Sequence, residues 1–173
     1  GKVVVVEGTA GAGSTIDRGG AYYSKLEEEK GIEVIYKVDG DFDRTKGMEV
    51  TETILQRYPN KGDFDVIYYM NDEMALGAVE AYRKAGYEQA EWPVIFGIDG
   101  LDDALEAIKA GKMQGTVYND KEDQALQIAK LAVEIFRGED VNRNKLKEGR
   151  YYVSEYQPVY SSNVEDFIKR QTR

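Results

Sequence analysis

The sequence predicts an α/β fold, doubly wound around a mostly parallel sheet with helices on both faces. Two observations carry this. Short runs rich in β-branched and aromatic residues alternate with stretches of helical periodicity along most of the chain. Gly, Asp or Asn bounds each of those short runs, as strand ends require. A strand-helix-strand alternation builds parallel pairs through crossovers that are almost always right-handed.

The strand-like runs are Lys2–Glu7, Glu33–Val38, Asp65–Met70, Pro93–Ile98 and Met113–Tyr118. Between the first two, Ile16, Tyr23 and Leu26 share a helix face, Ser14 and Asp17 have capping-box spacing with Asp in place of Glu, and Gly31 is the expected stop. Met48, Ile54 and Leu55 define the next helix before Pro59, Met74, Ala78, Ala81 and Tyr82 the one before Gly86, and Leu101, Leu105 and Ile108 the one before Gly111. A longer helix follows Asn119, with Ala125, Ile128, Ala129, Leu131, Ala132, Ile135 and Phe136 at three-four spacing, and should stop at Gly138. The rest changes character. Glu139–Arg150 is polar and loop-like, Tyr151–Val159 reads as extended, and Asn163–Ile168 as a last helical turn.

Composition narrows the function classes. The chain has 173 residues with 42% hydrophobic and 32% charged, and no apolar run long enough to span a bilayer, so membrane insertion is not expected. A formal charge of -9 without a basic stripe argues against a nucleic-acid partner. With no Cys and no His, disulfides, thiol or imidazole catalysis and the usual zinc sites lack their parts, and no cofactor or metal is called for. The chain opens directly on a strand-like run, which fits a mature protein, a cytosolic one or a piece of something longer.

In open parallel sheets ligands bind beyond the carboxyl ends of the strands, where helix N-termini also point their amides. At those positions lie the loop Gly8–Ser14 with Arg18, then Asp41-Phe42-Asp43, Asn71-Asp72, Asp99-Gly100 and Asn119-Asp120. Carboxylates, a guanidinium and amides suit a neutral polyhydroxylated ligand, since a sugar hydroxyl donates and accepts together, and Phe42 offers a flat plate to a ring's C–H face. Each residue also has a plainer reading. Arg18 could pair with Asp17 on a solvated helix, Phe42 could fold back on the core, and Asn71, Asp99 and Asn119 could simply cap helices. The Gly-rich loop Gly8, Gly11, Gly13 lacks the dinucleotide spacing. The carboxylate pairs Asp41/Asp43 and Asp102/Asp103 have no visible arrangement across one bond, so no catalytic residue is assigned and an enzyme is not expected.

Several segments, in order, resemble the ribose-binding and galactose/glucose-binding proteins of ABC sugar importers, which are type I periplasmic binding proteins. They are Val6–Gly11 through Asp17-Arg18-Gly19, Asp41-Phe42-Asp43-Arg44-Thr45-Lys46-Gly47, Asn71-Asp72-Glu73-Met74-Ala75-Leu76-Gly77-Ala78, Phe96–Gly100 and Gly115–Asp120. The resemblance implies that Arg18, Asn71, Asp99 and Asn119 hydrogen-bond a monosaccharide and that Phe42 stacks on it. Ala12, Ser14 and Phe42 depart from the hexose branch while Asn119 departs from the ribose branch, so hexose and pentose both stand. It also implies an ABC permease as partner and a periplasmic or extracellular lipid-anchored location for the intact protein. The chain then divides into a C-terminal-type lobe (1–119), a helix and segment belonging with a missing N-terminal lobe (120–150) and a tail returning to the first lobe (151–173). The helix after Asn119 would need cover from its own lobe, a second copy or a separate N-terminal fragment, and sugar binding by this chain alone would be weak or undetectable. The effector domain of a lactose-repressor-type regulator, or a sensor domain of a chemoreceptor or kinase, would share this fold.

Overall fold

A computed structural model describes residues 1–139, 147, 149 and 152–171. Most of the polar stretch expected over Glu139–Arg150, and the start of the extended segment at Tyr151, lie outside the described residues. The elements are β1 (Lys2–Glu7), α1 (Gly13–Glu28), β2 (Glu33–Asp39), α2 (Arg44–Arg57), β3 (Val66–Tyr69), α3 (Asp72–Lys84), β4 (Val94–Phe96), α4 (Asp102–Lys109), β5 (Gly115–Asn119), α5 (Lys121–Phe136), β6 (Tyr156–Tyr160) and α6 (Val164–Gln171). They form a six-stranded sheet in the order β2-β1-β3-β4-β5-β6. The first five strands are parallel, and β6 runs antiparallel to β5.

Burial explains the strand sequences. Val3, Val4, Val5 and Val6 are all buried because β1 is central and covered on both faces, which needs a continuous apolar run rather than an alternating one. Each such valine contributes roughly 1.5–3 kcal/mol of burial. Tyr22 of α1 stacks on Tyr68 at 4.4 Å, placing α1 on the face that register continues through Phe96, Gly115 and Tyr160. On the other face, the Tyr69 hydroxyl meets Thr51 of α2 at 2.6 Å, Thr116 bonds Asp72 of α3, and Tyr118 packs on Phe167 of α6, with α4 beside α6. Helices α2 and α3 cross closely at glycines: a Cβ on Gly77 would lie 2.2 Å from the Arg44 carbonyl oxygen.

The start of α1 differs from expectation. Ala12, not Ser14, is the N-cap, and no side chain caps it. Gly11, at φ 79, turns the chain so that helical bonding begins two residues early, with Ile16 N donating to Ala12 O, and Ile16 ends up exposed. Glycines 31, 86, 111 and 138, expected as helix stops, all have positive φ.

Helix α5 carries the predicted apolar stripe, yet none of its residues is buried, and Phe136 is 91% and Ile128 69% exposed. The segment before β6 runs beside its first turns, where the Tyr152 hydroxyl donates to Asp123 and Gln124 donates to Ser154 Oγ.

Candidate ligand-binding edge

Strand order reverses beside β1, with β2 on one side and β3 on the other, so the crevice beyond the carboxyl ends of β1 and β3 is the switch point of the sheet. The loop after β1 is pinned from both ends. Thr15 Oγ1 donates to Thr9 O, and Thr9 Oγ1 donates to Asp41 O at 3.2 Å, joining the loops after β1 and β2.

Arg18, in the second turn of α1, reaches over the end of β3. Its Nη1 donates to the Met70 carbonyl and its Nη2 to Asp99 Oδ1 at 2.9 Å, with side chains 18% and 27% exposed. The pairing is with Asp99, at the far side of the crevice, and not with its neighbour Asp17. Burial raises the Asp99 carboxyl above the ordinary carboxylate range, and the guanidinium beside it opposes that rise. Asp99 takes φ 123, a region that side chains avoid, and is held there by backbone bonds from its N to Val117 O (2.9 Å) and from Asn119 N to its O (3.0 Å).

Phe42 is also strained. Asp41 and Phe42 sit in succession at φ 56 and 60, a left-handed pair costing on the order of 1–3 kcal/mol per residue. The turn drops the Phe42 ring onto Gly8, where an added Cβ would come within 1.9 Å of Cζ. The ring is half-buried against the core, and the Arg18 guanidinium lies 5.8 Å from its centroid. Phe42 therefore packs back on the lobe and also faces the arginine.

Asn71 is the N-cap of α3: its Oδ1 accepts from Met74 N at 3.0 Å. The same amide donates from Nδ2 to the Phe42 carbonyl at 3.0 Å, so it caps the helix and holds the strained turn. Asn119 does not cap α5, a role taken by Asp120; its Oδ1 accepts from Gln124 Nε2. Direct contacts thus connect Arg18, Phe42, Asn71, Asp99 and Asn119 in one constellation. Three of the four carboxylates weighed for catalysis are used otherwise: Asp43 caps α2, Asp103 pairs with Arg44 at 3.2 Å, and Asp102 lies 3.5 Å from Lys121. Among the described residues no cluster of acids could hold a metal.

Asp72 was placed at a strand end without a role, and Thr116 and Gln124 were not singled out from the sequence. Asp72 is fully buried and bonds both the Asp99-Gly100 turn and Thr116. The glycines at 97 and 100 were the available signal for a close approach there. A cavity of about 330 Å³ between Tyr58, Phe64, Tyr82 and Trp92 lies at the opposite edge of the sheet, apart from this constellation.

The open α/β lobe thus gathers a guanidinium, a carboxylate, amides and an aromatic ring at the switch point of its sheet. The chain belongs to the periplasmic binding protein family, whose domain model matches residues 1–140. It is similar to the ribose import binding protein of Haemophilus influenzae, 38% identical over 140 residues, covering 81% of this chain and 45% of that protein. The ribose import binding protein of Bacillus subtilis is 36% identical over 142 residues, covering 82% of this chain and 44% of that protein. The chain thus spans about half the length of these relatives. Among solved structures, an ABC transporter solute binding protein from Bacillus halodurans with bound myo-inositol superposes with a TM-score of 0.85 at 32% identity, over 98% of this chain and 55% of that one. A periplasmic solute binding protein from Actinobacillus succinogenes with bound D-allose gives 0.82 at 26% identity, over 96% and 55%. These relatives are solute-binding proteins and not enzymes.

Proposed function

We propose that this chain is one lobe of a monosaccharide-binding protein that delivers its ligand to the permease of an ABC importer in the periplasm. The observation that carries the reading is the Arg18–Asp99 pair, 2.9 Å apart beside the Phe42 ring at the switch point. A sugar hydroxyl accepts from the guanidinium and donates to the carboxylate, while the ring lies against Phe42. Asn71 and Asn119 complete the polar rim: an amide has two N–H groups and two lone pairs, more than the two internal bonds of Asn71 or the bond Asn119 accepts from Gln124 require.

Residues 1–119 form the gripping lobe, 120–150 belong with an N-terminal lobe outside this chain, and 151–173 return to the first. The exposed apolar stripe of α5 supports that division, because Ile128, Ile135 and Phe136 are 69%, 65% and 91% exposed. In the whole protein, contacts on both sides of the ligand favour a closed state, and closure is what the permease reads. A single lobe leaves its polar groups wet, so this chain alone binds with a Kd of about 1 mM or weaker, roughly -4 kcal/mol.

Intact mass and light scattering, followed by calorimetry with ribose, xylose, arabinose, galactose and glucose, test the proposal. Weak or no heat from a chain of 19.5 kDa is expected. Micromolar binding by that chain alone would overturn the half-cleft reading. Loss of no affinity in Arg18→Ala, measured where any sugar binds, would overturn the site.

A further inference from the structure

We infer that Asp72 is a positioning residue for the sugar site: it touches no ligand, but its carboxylate fixes the Asp99-Gly100 turn that aims Asp99 at Arg18. This rests on the proposed site, and it identifies what holds that site in shape.

Asp72 opens α3 and both its oxygens are engaged. Oδ2 accepts from Gly100 N at 2.7 Å and Leu101 N at 2.9 Å, while Oδ1 accepts from Thr116 Oγ1 at 2.7 Å. Its own amide donates to Ile98 O at 2.7 Å. The first turn of α3 is therefore joined to the β4–α4 link on both sides. That link needs the support. Asp99 and Gly100 take successive positive φ values, 123 and 73, and Leu101, the N-cap of α4, has no side chain able to cap it. Buried amides without an acceptor are costly, and the Asp72 carboxylate is the shorter of two acceptors for Gly100 N, Thr116 Oγ1 lying at 3.3 Å, and an acceptor for Leu101 N.

The neighbouring sequence is shaped around this carboxylate. A Cβ on Gly97 would lie 2.2 Å from Asp72 Oδ1, and one on Gly100 would lie 2.5 Å from the Tyr118 ring, so only glycines admit the packing. Asn71 and Asp72 then divide the work between adjacent positions. Asn71 holds the Phe42 turn on one side of the crevice, and Asp72 holds the Asp99 turn on the other.

Asp72→Ala removes the acceptor. Asp72→Asn keeps a carbonyl oxygen for the two amides and offers its NH₂ to the Thr116 hydroxyl, so it should rescue. The test is NMR on the labelled chain, reading amide exchange at Gly100 and Leu101, with ribose and myo-inositol titrated in parallel. Asp72→Ala should speed exchange at both amides about tenfold and weaken sugar binding by a similar factor, with Asp72→Asn restoring both to within about threefold. Should Asp72→Ala not fold, Thr116→Val carries the test through Leu101, with a rise of about threefold in its exchange rate, because Thr116 Oγ1 itself accepts from Gly100 N. Wild-type exchange at Gly100 and Leu101 in a folded Asp72→Ala or Thr116→Val chain would overturn the inference. So would faster exchange with binding unchanged where binding is measurable. If the wild type binds neither ligand, the functional reading fails on its own, and the exchange rates still decide whether Asp72 holds the turn.

Discussion

Replacing Asn71 by alanine probes the fold and the site together, because one amide performs two tasks. Its Oδ1 caps α3 through Met74 N, and its Nδ2 holds the Phe42 carbonyl, both at 3.0 Å. Losing an N-cap costs about 1 kcal/mol, and losing a hydrogen bond to a strained, half-buried turn costs about 1 more. The sum, about 2 kcal/mol, lowers the melting temperature of a chain this size by about 4–8 °C. Urea denaturation gives the free energy directly, and calorimetric melting gives the temperature. Asn71→Asp separates the tasks. It keeps the cap but turns a carboxylate oxygen toward the Phe42 carbonyl, so about half the alanine loss should persist at neutral pH. That loss should shrink in acid, as a protonated carboxyl can donate where the amide did. An Asn71→Ala chain within about 0.5 kcal/mol of wild type would refute the double role, since that is the scatter of inert surface changes.

Three further outcomes are expected. Burial raises the Asp72 carboxyl to about 6 from 3.8, so the folded chain holds this proton more tightly than the unfolded one. Its contribution to stability is full below about 4 and is lost as pH rises through about 6, on the order of 3 kcal/mol, and Asp72→Asn should flatten that fall in denaturation series; an unchanged slope would refute it. Gly77→Ala drives a Cβ to 2.2 Å from the Arg44 carbonyl oxygen and should cost about 1–3 kcal/mol in urea denaturation, whereas an unaffected midpoint would show that α2 and α3 separate easily. Ile128→Lys with Phe136→Lys should reduce apolar dye binding and self-association by light scattering, while shifting stability by no more than about 0.5 kcal/mol, because both side chains are exposed.

Much of the fold was legible because it rests on local signals. Lys2–Glu7 matches β1 residue for residue, and Met113–Tyr118 overlaps β5 despite a displaced start. The start of α1 was misread because Ser14 has the right chemistry at the wrong turn: Gly11 changes the chain direction earlier, which a capping pattern does not register. The antiparallel pairing of β6 with β5 was not legible either, since Tyr151–Val159 reads only as extended and the partner of β6 lies across α5 in sequence.

The candidate site divides in the same way. Arg18, Phe42, Asn71, Asp99 and Asn119 stood out because each follows a strand on one edge, and topology brings those ends together. The support of that edge was hidden. Asp72 acts on Gly100 and Thr116 through contacts 28 and 44 residues distant, and the left-handed pair at Asp41-Phe42 depends on Gly8 and Asn71 from other strands. Asp72 stood in the sequence only beside Asn71 at a strand end, because nothing local to it announces burial.

The most direct test of the central claim, that a neutral sugar engages this edge, is an amide-resolved NMR titration of the chain with ribose, allose and myo-inositol. Saturable shifts centred on Arg18, Phe42, Asn71, Asp99 and Asn119 are the predicted result. Silence with every sugar at concentrations far above the millimolar range, or shifts gathered around Tyr58, Phe64, Tyr82 and Trp92 at the opposite edge, would contradict it.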